Sequence, residues 1–263
     1  MSKSRKGTRE AGNYSGQSSS RQNLIWGRQP VLEWLQSDLE VQQMFLTREA
    51  GGRVVSDILT IAEQRKIPVK RVHPAKLEHL AGTDKHQNIV AEVELPSYSN
   101  LDEIFQIAER KGEAPLLAVL DGVQDPHNLG AILRSADAAG LHGVIIPKDK
   151  AVGLTSVVIK SSAGAAAWIP VVQVTNLSRT LDELKQRNVW ITGTTDDAET
   201  LFSQSDLKGP TALVLGGEGK GMRRIVREKC DFLVRIPMFG KVSSLNVSVA
   251  AGILFYEARR QRD

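Results

Sequence analysis

Polar side chains that could act on a substrate occur in three short segments of the C-terminal half of the chain. Asn128 and Arg134 lie in the first segment, Glu218 lies in a glycine-rich second segment, and Ser244 and Asn246 lie just before or at the start of the last predicted helix. A guanidinium can hold an anion, a carboxylate can accept hydrogen bonds from a hydroxyl or an amine, and a helix start leaves donors available to a ligand. These residue types indicate a site, provided that the fold brings the three segments together.

The first segment combines a turn with a helix predicted over residues 129–139. Asn128 is predicted to be its N-cap, and Arg134 lies off its buried face. Because a helical side chain leans toward the helix N-terminus, we expect Arg134 to lie over Gly130 and Ala131, whose small size would leave a strand-end cleft open to the guanidinium. The alternative is that Asn128 only caps the helix and Arg134 is only a solvated charge, and this segment alone favours that alternative. The predicted buried face consists of Leu129, Ile132, Leu133 and Ala136.

The second segment, residues 215–222, places four glycines within six residues directly after an apolar strand. Glycines let a backbone approach a ligand or adopt a positive φ. The segment is not a Walker A loop, because Gly221 stands where Ser or Thr must follow the Lys, and it lacks the G-x-G-x-x-G spacing. Glu218 would also repel a phosphate, so the sequence disfavours a nucleotide-phosphate site here.

The third segment leads from a short strand through residues 236–246 into a helix made thin by Ala250, Ala251 and Gly252. Small residues on a buried helix allow another backbone to come close. The polar residues just before the helix, among them Asn246, could instead cap it, and at least one of them is expected to do so.

Other catalytic and metal-binding classes find little support. The lone Cys230 offers no disulfide framework and precedes a strand with no evident activating partner. The five histidines show no paired metal spacing, and no Ser-His-Asp order emerges, so neither a metal site nor a hydrolase is predicted. No apolar run approaches the ~20 residues that span a bilayer, and the polar N-terminus lacks a signal-peptide core, so a cytoplasmic protein is expected.

The net charge of +4 is confined to the first 22 residues. Residues 1–22 hold five Lys or Arg against one acidic group, which leaves 29 basic and 29 acidic groups on residues 23–263. The tail has too few apolar groups to offset the entropy of ordering, so it is predicted to be disordered. It could add non-specific, salt-sensitive attraction to RNA or DNA, or it could simply keep the protein soluble.

Hydrophobic patterning predicts two α/β domains. Residues 23–95 alternate short helices and strands in a compact unit, and breaks rich in Pro, Gly and Ser mark residues 96–114 as a linker. Residues 115–263 repeat strand and helix, which implies crossovers and a mainly parallel sheet covered on both faces. Ligands of such sheets lie at the C-terminal ends of the strands, and all three polar segments follow strands. A short helical turn is also predicted over residues 201–205.

Together the three segments resemble the signature motifs of the SPOUT-class RNA 2′-O-ribose methyltransferases, the SpoU/TrmH group. Residues 23–95 also resemble the L30e-like RNA-binding domain of the bacterial branch of that group that methylates a guanosine of 23S rRNA. Order, spacing and strand context agree over residues 115–260. The motifs are NLGAILR at 128–134, LGGEGKG at 215–221, IPM at 236–238 and SLNVSVA at 244–250.

The resemblance implies an α/β C-terminal domain with a deep trefoil knot, against the general rule that chains avoid knots. It further implies S-adenosylmethionine bound in a bent form to the backbone of the knot, RNA as the substrate, and a homodimer whose interface includes the last helices. The implied catalytic group is Asn128, Arg134, Glu218, Ser244 and Asn246. The implied cofactor contacts are Gly216, Ile236 and Leu245, with Gly219 and Met238 nearby.

In such a reaction the sulfonium methyl is already activated, so the enzyme must chiefly align a ribose 2′-hydroxyl and stabilise the developing alkoxide. The arginine of this family is often described as a general base, yet a guanidinium has a pKa above ~12 and is not normally deprotonated in proteins. We therefore favour an electrostatic role for Arg134, with Glu218 orienting Arg134 or the ribose. Ser244 and Asn246 would hold the acceptor and the loop.

Three alternatives remain open at the level of sequence. The first is the same reaction on a tRNA ribose, which the globular N-terminal domain disfavours. The second is a non-catalytic RNA-binding factor in ribosome assembly, against which the intact polar residues count. The third is a dinucleotide-binding oxidoreductase, which the absent fingerprint makes a poor fit.

Overall fold

The computed structural model describes residues 23–37, 39–219 and 221–263, and the disorder predicted for residues 1–22 lies outside the described residues. The N-terminal unit is a mixed sheet in the order β1-β4-β2-β3, in which β4 is antiparallel to β1 and β2 while β3 is parallel to β2. Its strands are β1 (Leu24–Trp26), β2 (Val41–Leu46), β3 (Val69–Arg71) and β4 (Ile89–Val93). Its helices are α1 (Arg28–Gln36), α2 (Arg53–Gln64) and α3 (Pro74–Ala81).

Helix α4 (Leu101–Lys111) connects the N-terminal unit to the second sheet. The Asn100 side chain caps it by accepting a hydrogen bond from the Glu103 N–H at 2.9 Å, and Gly112 ends it in the left-handed conformation with φ 66°. Its apolar face buries Ile104, which packs directly on Gly143 in the second sheet. A side chain at position 143 would displace this helix.

The second sheet has seven strands, all paired in parallel, in the order β7-β6-β5-β10-β8-β11-β9. Parallel neighbours require crossover connections, which the helices between the strands provide. The strands are β5 (Leu116–Asp121), β6 (Gly143–Pro147), β7 (Val171–Val174), β8 (Trp190–Thr194), β9 (Thr200–Leu201), β10 (Thr211–Gly216) and β11 (Phe232–Arg235). The helices are α5 (Pro126–Ala138), α6 (Ser156–Ser161), α7 (Leu177–Gln186), α8 (Arg224–Arg227) and α9 (Val247–Arg262).

The two faces of this sheet bury separate sets of side chains. Along β5, Leu116, Ala118 and Leu120 pack with helices α5 and α9, whereas the alternate residues Leu117 and Val119 pack with α4, α7 and α8. This alternation follows from the two-residue period of a strand, since successive side chains point to opposite faces. A central strand covered on both faces therefore appears in the sequence as an uninterrupted apolar run.

The N-terminal unit packs on the α5 face of the second sheet. Its buried residues join those of α5, α6 and α9 in one apolar cluster. At the contact, the Lys160 ammonium of α6 lies 4.2 Å from the centroid of the Trp26 ring. Such a cation–π contact is favourable where the ammonium loses water. Burial correspondingly lowers the pKa of Lys160.

The α/β class and the mainly parallel sheet predicted from the sequence are confirmed. One local prediction is wrong, because helix α5 begins at Pro126 rather than at residue 129. The short helical turn predicted around residues 201–205 is confirmed as a 3-10 turn, Phe202–Gln204, and it follows the two-residue strand β9, which was not predicted. Within the described ranges, no helix combines the length and the apolar character needed to cross a membrane.

Candidate functional site

The start of α5 is capped by Asp125, not by Asn128 as the sequence predicted. The Asp125 carboxylate accepts a hydrogen bond from the His127 N–H at 2.9 Å, and Pro126 occupies the first helical position, where its lack of an N–H is harmless. Asn128 therefore lies inside the first turn and is 6% exposed. Because its side chain does not cap the helix, its amide can bond elsewhere.

That amide joins the three polar segments through a chain of hydrogen bonds. Asn128 donates through Nδ2 to Oε1 of Glu218 and accepts at Oδ1 from Nδ2 of Asn246 at 3.0 Å. Asn246 caps α9 by accepting at its own Oδ1 from the Ser248 N–H at 2.8 Å, which confirms that a polar residue of the third segment is a cap. The structure thus brings Asn128, Glu218 and Asn246 together.

The direction of this chain is determined by its two ends. A backbone N–H can only donate and an ionised carboxylate can only accept, so the Ser248 N–H and Glu218 fix which atom of each amide is oxygen. Flipping the side-chain amide of either asparagine would place a donor against a donor or an acceptor against an acceptor. The network therefore ties the loop after β10 and the start of α9 to the first turn of α5 in one arrangement.

Arg134 is exposed and does not join this network. Within the described residues its guanidinium has no ion-pair partner, and Glu218 accepts from Asn128 rather than from Arg134. Arg134 lines a cavity of about 320 Å³ together with Glu33 of α1, Asp137 of α5 and Trp168. Arg134, the catalytic candidate, therefore faces the N-terminal unit across this cavity.

The small residue Gly130 does not leave a cleft for Arg134, so that expectation is wrong. A Cβ built on Gly130 would collide with the Ser161 side chain and lie 2.7 Å from the carbonyl oxygen of Val158. The absence of a side chain at position 130 therefore lets α6 pack tightly against α5. Sequence spacing could not distinguish a ligand from a neighbouring helix as the occupant of that space.

The glycine loop after β10 folds back on itself. A Cβ on Gly216 would collide with Gly221 and Met222, and one on Gly217 would collide with Gly122 in the loop after β5. These two glycines therefore permit close backbone packing within the protein. Gly219 differs, because it has a φ of 79° and a Cβ there would meet no described atom within 4 Å. The open side of the loop lies at Gly219, beside the exposed Glu218.

The remaining predicted site residues lie in the segment between β11 and α9. Ile236 and Met238 are half-buried, Leu245 is 36% exposed, and Ser244 is exposed without a hydrogen bond to another described side chain or backbone group. This segment follows the C-terminal end of β11, and Gly216 is the last residue of β10. The residues predicted to contact a cofactor thus follow two strands separated in the sheet only by β8.

Sequence reasoning missed Asp121, the last residue of β5. Its side chain is fully buried and accepts from the Arg223 backbone N–H at 2.7 Å and from Arg223 Nε at 2.6 Å, while its carbonyl accepts from the Gly217 N–H at 2.8 Å. Asp121 therefore holds both ends of the glycine loop. An acidic residue at the end of an otherwise apolar strand was the available signal, because a buried carboxylate requires donors.

Cys230 is half-buried, and burial raises the pKa of its thiol to about 11. The thiolate is the nucleophilic form of cysteine, so this residue is unreactive near neutral pH. It packs instead beside Gly193 of β8.

Comparison with known proteins matches two parts of the chain to described families. Residues 115–256 match the SpoU rRNA Methylase family, and residues 24–99 match the family described as RNA 2′-O ribose methyltransferase substrate binding. The chain is 49% identical over 245 residues to the 23S rRNA (guanosine-2′-O-)-methyltransferase RlmB of Ralstonia nicotianae, covering 92% of this chain and 97% of that protein. It is 46% identical over 244 residues to the protein of the same name from Pseudomonas putida, with 92% and 98% coverage.

Among solved structures, the chain is similar to the SpoU methyltransferase AviRb from Streptomyces viridochromogenes in complex with AdoMet. The superposition has a TM-score of 0.78 at 29% identity and covers 92% of this chain and 90% of that chain. The similarity therefore extends over both sheets.

Proposed function

The chain belongs to the SpoU rRNA Methylase family, and on that premise we propose that it transfers the methyl group of S-adenosylmethionine to the 2′-hydroxyl of a guanosine ribose in 23S rRNA. The observation that carries this proposal is the hydrogen-bond network of Asn128, Glu218 and Asn246, which unites one residue from each motif. A fold that served only to bind RNA would not require these three segments to be tied together at the ends of the central strands.

We propose three parts for the chain after residue 22. Residues 23–95 form an L30e-like domain that binds RNA, residues 96–114 form a linker, and residues 115–263 form the domain that transfers the methyl group. Support for the first comes from the substrate-binding family match over residues 24–99. We also propose a trefoil knot in the last domain. Its support is that the chain leaves β11, which lies on the far side of β8 and β10 from β5, and returns so that Asn246 contacts Asn128.

The loops after β10 and β11 fit S-adenosylmethionine in their chemistry. Half-buried Ile236 and Met238 offer apolar surface, Leu245 is partly exposed beside them in sequence, and Gly219 leaves open space next to the Glu218 carboxylate. We propose that these residues and Gly216 hold the cofactor. When bound, S-adenosylmethionine would supply an activated sulfonium methyl group for transfer to the ribose oxygen.

Arg134 is proposed to hold the acceptor ribose or an adjacent phosphate through its planar guanidinium. Because guanidinium groups are not normally deprotonated in proteins, its proposed role is to stabilise the developing alkoxide, while the proton passes to phosphate or water. Glu218, Asn128 and Asn246 keep the glycine loop and the start of α9 in one arrangement. Ser244, which is exposed near that start, is proposed to hydrogen-bond the acceptor.

We further propose a cytoplasmic homodimer with α9 in its interface. Support comes from five large apolar side chains exposed in or near the third segment. Phe239 is 95% exposed, and several large apolar side chains exposed along one stretch of chain favour an interaction surface over a surface that stays in water. The five residues are Phe239, Val242, Leu245, Val249 and Tyr256.

Radiolabelled S-adenosylmethionine offered with unmodified 23S rRNA and, separately, tRNA tests the function directly. Label is expected on one ribose of a guanosine in 23S rRNA. Label on a base would refute the proposed chemistry, label on tRNA would support the tRNA alternative, and label on neither RNA would support a non-catalytic RNA-binding factor.

Two variants test the role of Arg134 in that assay. Arg134→Lys keeps the charge but loses the fork of donors, so transfer should fall by at least ~10-fold while cofactor affinity is retained. Arg110→Lys, an equally conservative change at an exposed arginine of α4, should leave transfer unchanged. Wild-type transfer by Arg134→Lys would contradict bidentate positioning.

A further inference from the structure

The cavity that Arg134 lines lies between the two units of the protein. Helix α1 of the N-terminal unit forms one wall through Glu33, and α5 with the turn after α6 forms the other through Arg134, Asp137 and Trp168. Its volume of about 320 Å³ is within the ~300–1,000 Å³ typical of small-ligand sites. None of Asn128, Glu218 and Asn246 lines it, so it is a separate space next to the proposed catalytic arginine.

Glu33 contributes a carboxylate to the lining of this cavity. Its Oε1 accepts from Gln29 Nε2 at 3.0 Å, whereas its Oε2 is enclosed by protein atoms and has no donor among the described residues. An enclosed acceptor without a donor is costly, so rotation of this side chain toward the N–H groups of a ligand in the cavity would be favoured. Gly164 faces this carboxylate, and a Cβ at that position would lie 3.1 Å from Glu33 Cβ.

The other lining groups restrict the chemistry of that ligand. Asp137 adds a second carboxylate, and burial raises its pKa. Both carboxylates can accept hydrogen bonds from neutral N–H groups. Trp168 is 55% exposed at the cavity, and an exposed indole is a stacking surface for a nucleic-acid base. A planar ligand that carries N–H donors along one edge would satisfy all of these groups.

We propose that this cavity receives the guanine base of the acceptor nucleotide, with Glu33 reading its edge and Trp168 stacking on its face. Guanine presents N1–H and an exocyclic amine side by side, whereas adenine presents an acceptor at N1, which a carboxylate would repel. The inference rests on the proposed function, because Arg134 at the same cavity would hold the ribose of that nucleotide. It makes the N-terminal unit a determinant of base specificity and not only of RNA affinity.

The first test compares acceptor bases in a fragment of 23S rRNA that carries the mapped methylation site. Wild-type kcat/KM should fall by about 10- to 100-fold when the acceptor guanosine is replaced by adenosine, because good base-edge pairs discriminate by ~1–3 kcal/mol. Glu33→Gln presents both a donor and an acceptor, so it should reduce the guanosine-to-adenosine ratio by at least ~10-fold. Glu63→Gln, at an exposed position of α2 outside the cavity, should leave the ratio unchanged.

Trp168 has a matched control in Trp190, which is also 55% exposed but does not line the cavity. Trp168→Ala should raise KM by about 10-fold or more and Trp168→Phe should largely restore it, since stacking of one base contributes ~1–3 kcal/mol. Trp190→Ala should leave KM unchanged. Equal effects of the two alanine variants would overturn the stacking role.

A second measurement does not depend on methyl transfer. Titration of the full chain with guanosine and adenosine monophosphate, followed by tryptophan fluorescence, should show tighter binding of the guanine nucleotide and loss of that preference in Glu33→Gln. If no ribose is methylated yet this preference persists, the proposed function fails and the base-binding cavity stands. If RNA is methylated yet Glu33→Gln keeps the wild-type base ratio in both assays, the cavity assignment is overturned while the proposed function stands.

Discussion

Replacing Asn128 with Asp tests whether the hydrogen-bond network maintains the site. The substitution keeps the size of the side chain and its acceptor toward Asn246, but it replaces the Nδ2 donor that bonds Glu218 with an oxygen. Two carboxylates would then face each other beside the glycine loop. The loop should separate from α5 even though the fold around it is unchanged.

The expected cost has three contributions. A hydrogen bond to a charged group contributes ~1.5–3 kcal/mol, and the exposure of Glu218 places this one near the lower end. Repulsion between unit charges about 4 Å apart in a watery environment adds ~1 kcal/mol. The low exposure of position 128 adds a desolvation cost for the new carboxylate. A total of ~3 kcal/mol corresponds to a loss of about 100-fold in kcat/KM if the whole cost destabilises the ordered loop conformation that the reaction requires.

The assay measures methyl transfer and, by calorimetry, the Kd for S-adenosylmethionine between pH 5 and 8. Protonation of the introduced carboxyl would restore a donor toward Glu218, so the ratio of variant to wild-type activity should rise as the pH falls. Asn176→Asp is the control, because Asn176 caps α7 by accepting from the Arg179 N–H and Asp caps equally well. Near-wild-type transfer and cofactor affinity in Asn128→Asp at pH 8 would refute the reasoning.

Three further predictions concern stability and the glycine loop. Burial lowers the pKa of His142 to about 4, so the unfolded chain binds a proton at a higher pH than the folded protein does, and the free energy of unfolding should fall by about 3 kcal/mol between pH 6.5 and 4. In urea titrations over this pH range, His142→Gln should lose less stability than the wild type, and an unchanged pH profile would contradict this prediction. Gly130→Ala should lower the free energy of unfolding by ~1–3 kcal/mol in the same titrations, because the added methyl group overpacks against α6. Gly252→Ala is the control: its Cβ would make only an ordinary contact at 3.8 Å, so it should be neutral or stabilising. Asp121→Asn should weaken S-adenosylmethionine binding by about 10-fold in calorimetry, because one of the two hydrogen bonds from Arg223 is lost. An unchanged affinity would show that the Asp121–Arg223 ion pair does not support cofactor binding.

Local periodicity predicted the regular elements well. The sequence pattern predicts strands over residues 41–46, 89–93 and 171–174 and a helix over residues 177–186, which are the observed bounds of β2, β4, β7 and α7. It also predicts strands over residues 116–120 and 211–215, and the observed β5 and β10 are each one residue longer. The reason is physical, because burial on both faces demands an unbroken apolar run and burial on one face of a helix demands the 3.6-residue period. Both demands are met within ten residues of sequence.

The start of α5 shows where local signals compete. Asp125 and Asn128 are both good N-caps, and the prediction of Asn128 is wrong because Asp125 caps the helix. Pro126, which is favoured at the first helical position, was the local signal for the earlier start. The error matters for the site, because a capping side chain would not have been available to bond Glu218.

The sequence by itself determined the elements, the parallel sheet and the three segments that carry polar side chains. Tertiary structure decided which of them meet, since Asn128 contacts residues 90 and 118 positions away. It also decided that α6 fills the space at Gly130 and that Arg134 faces Glu33 across a cavity. No local pattern encodes such contacts, because they depend on how the crossovers order the strands and on how the first unit packs against the second.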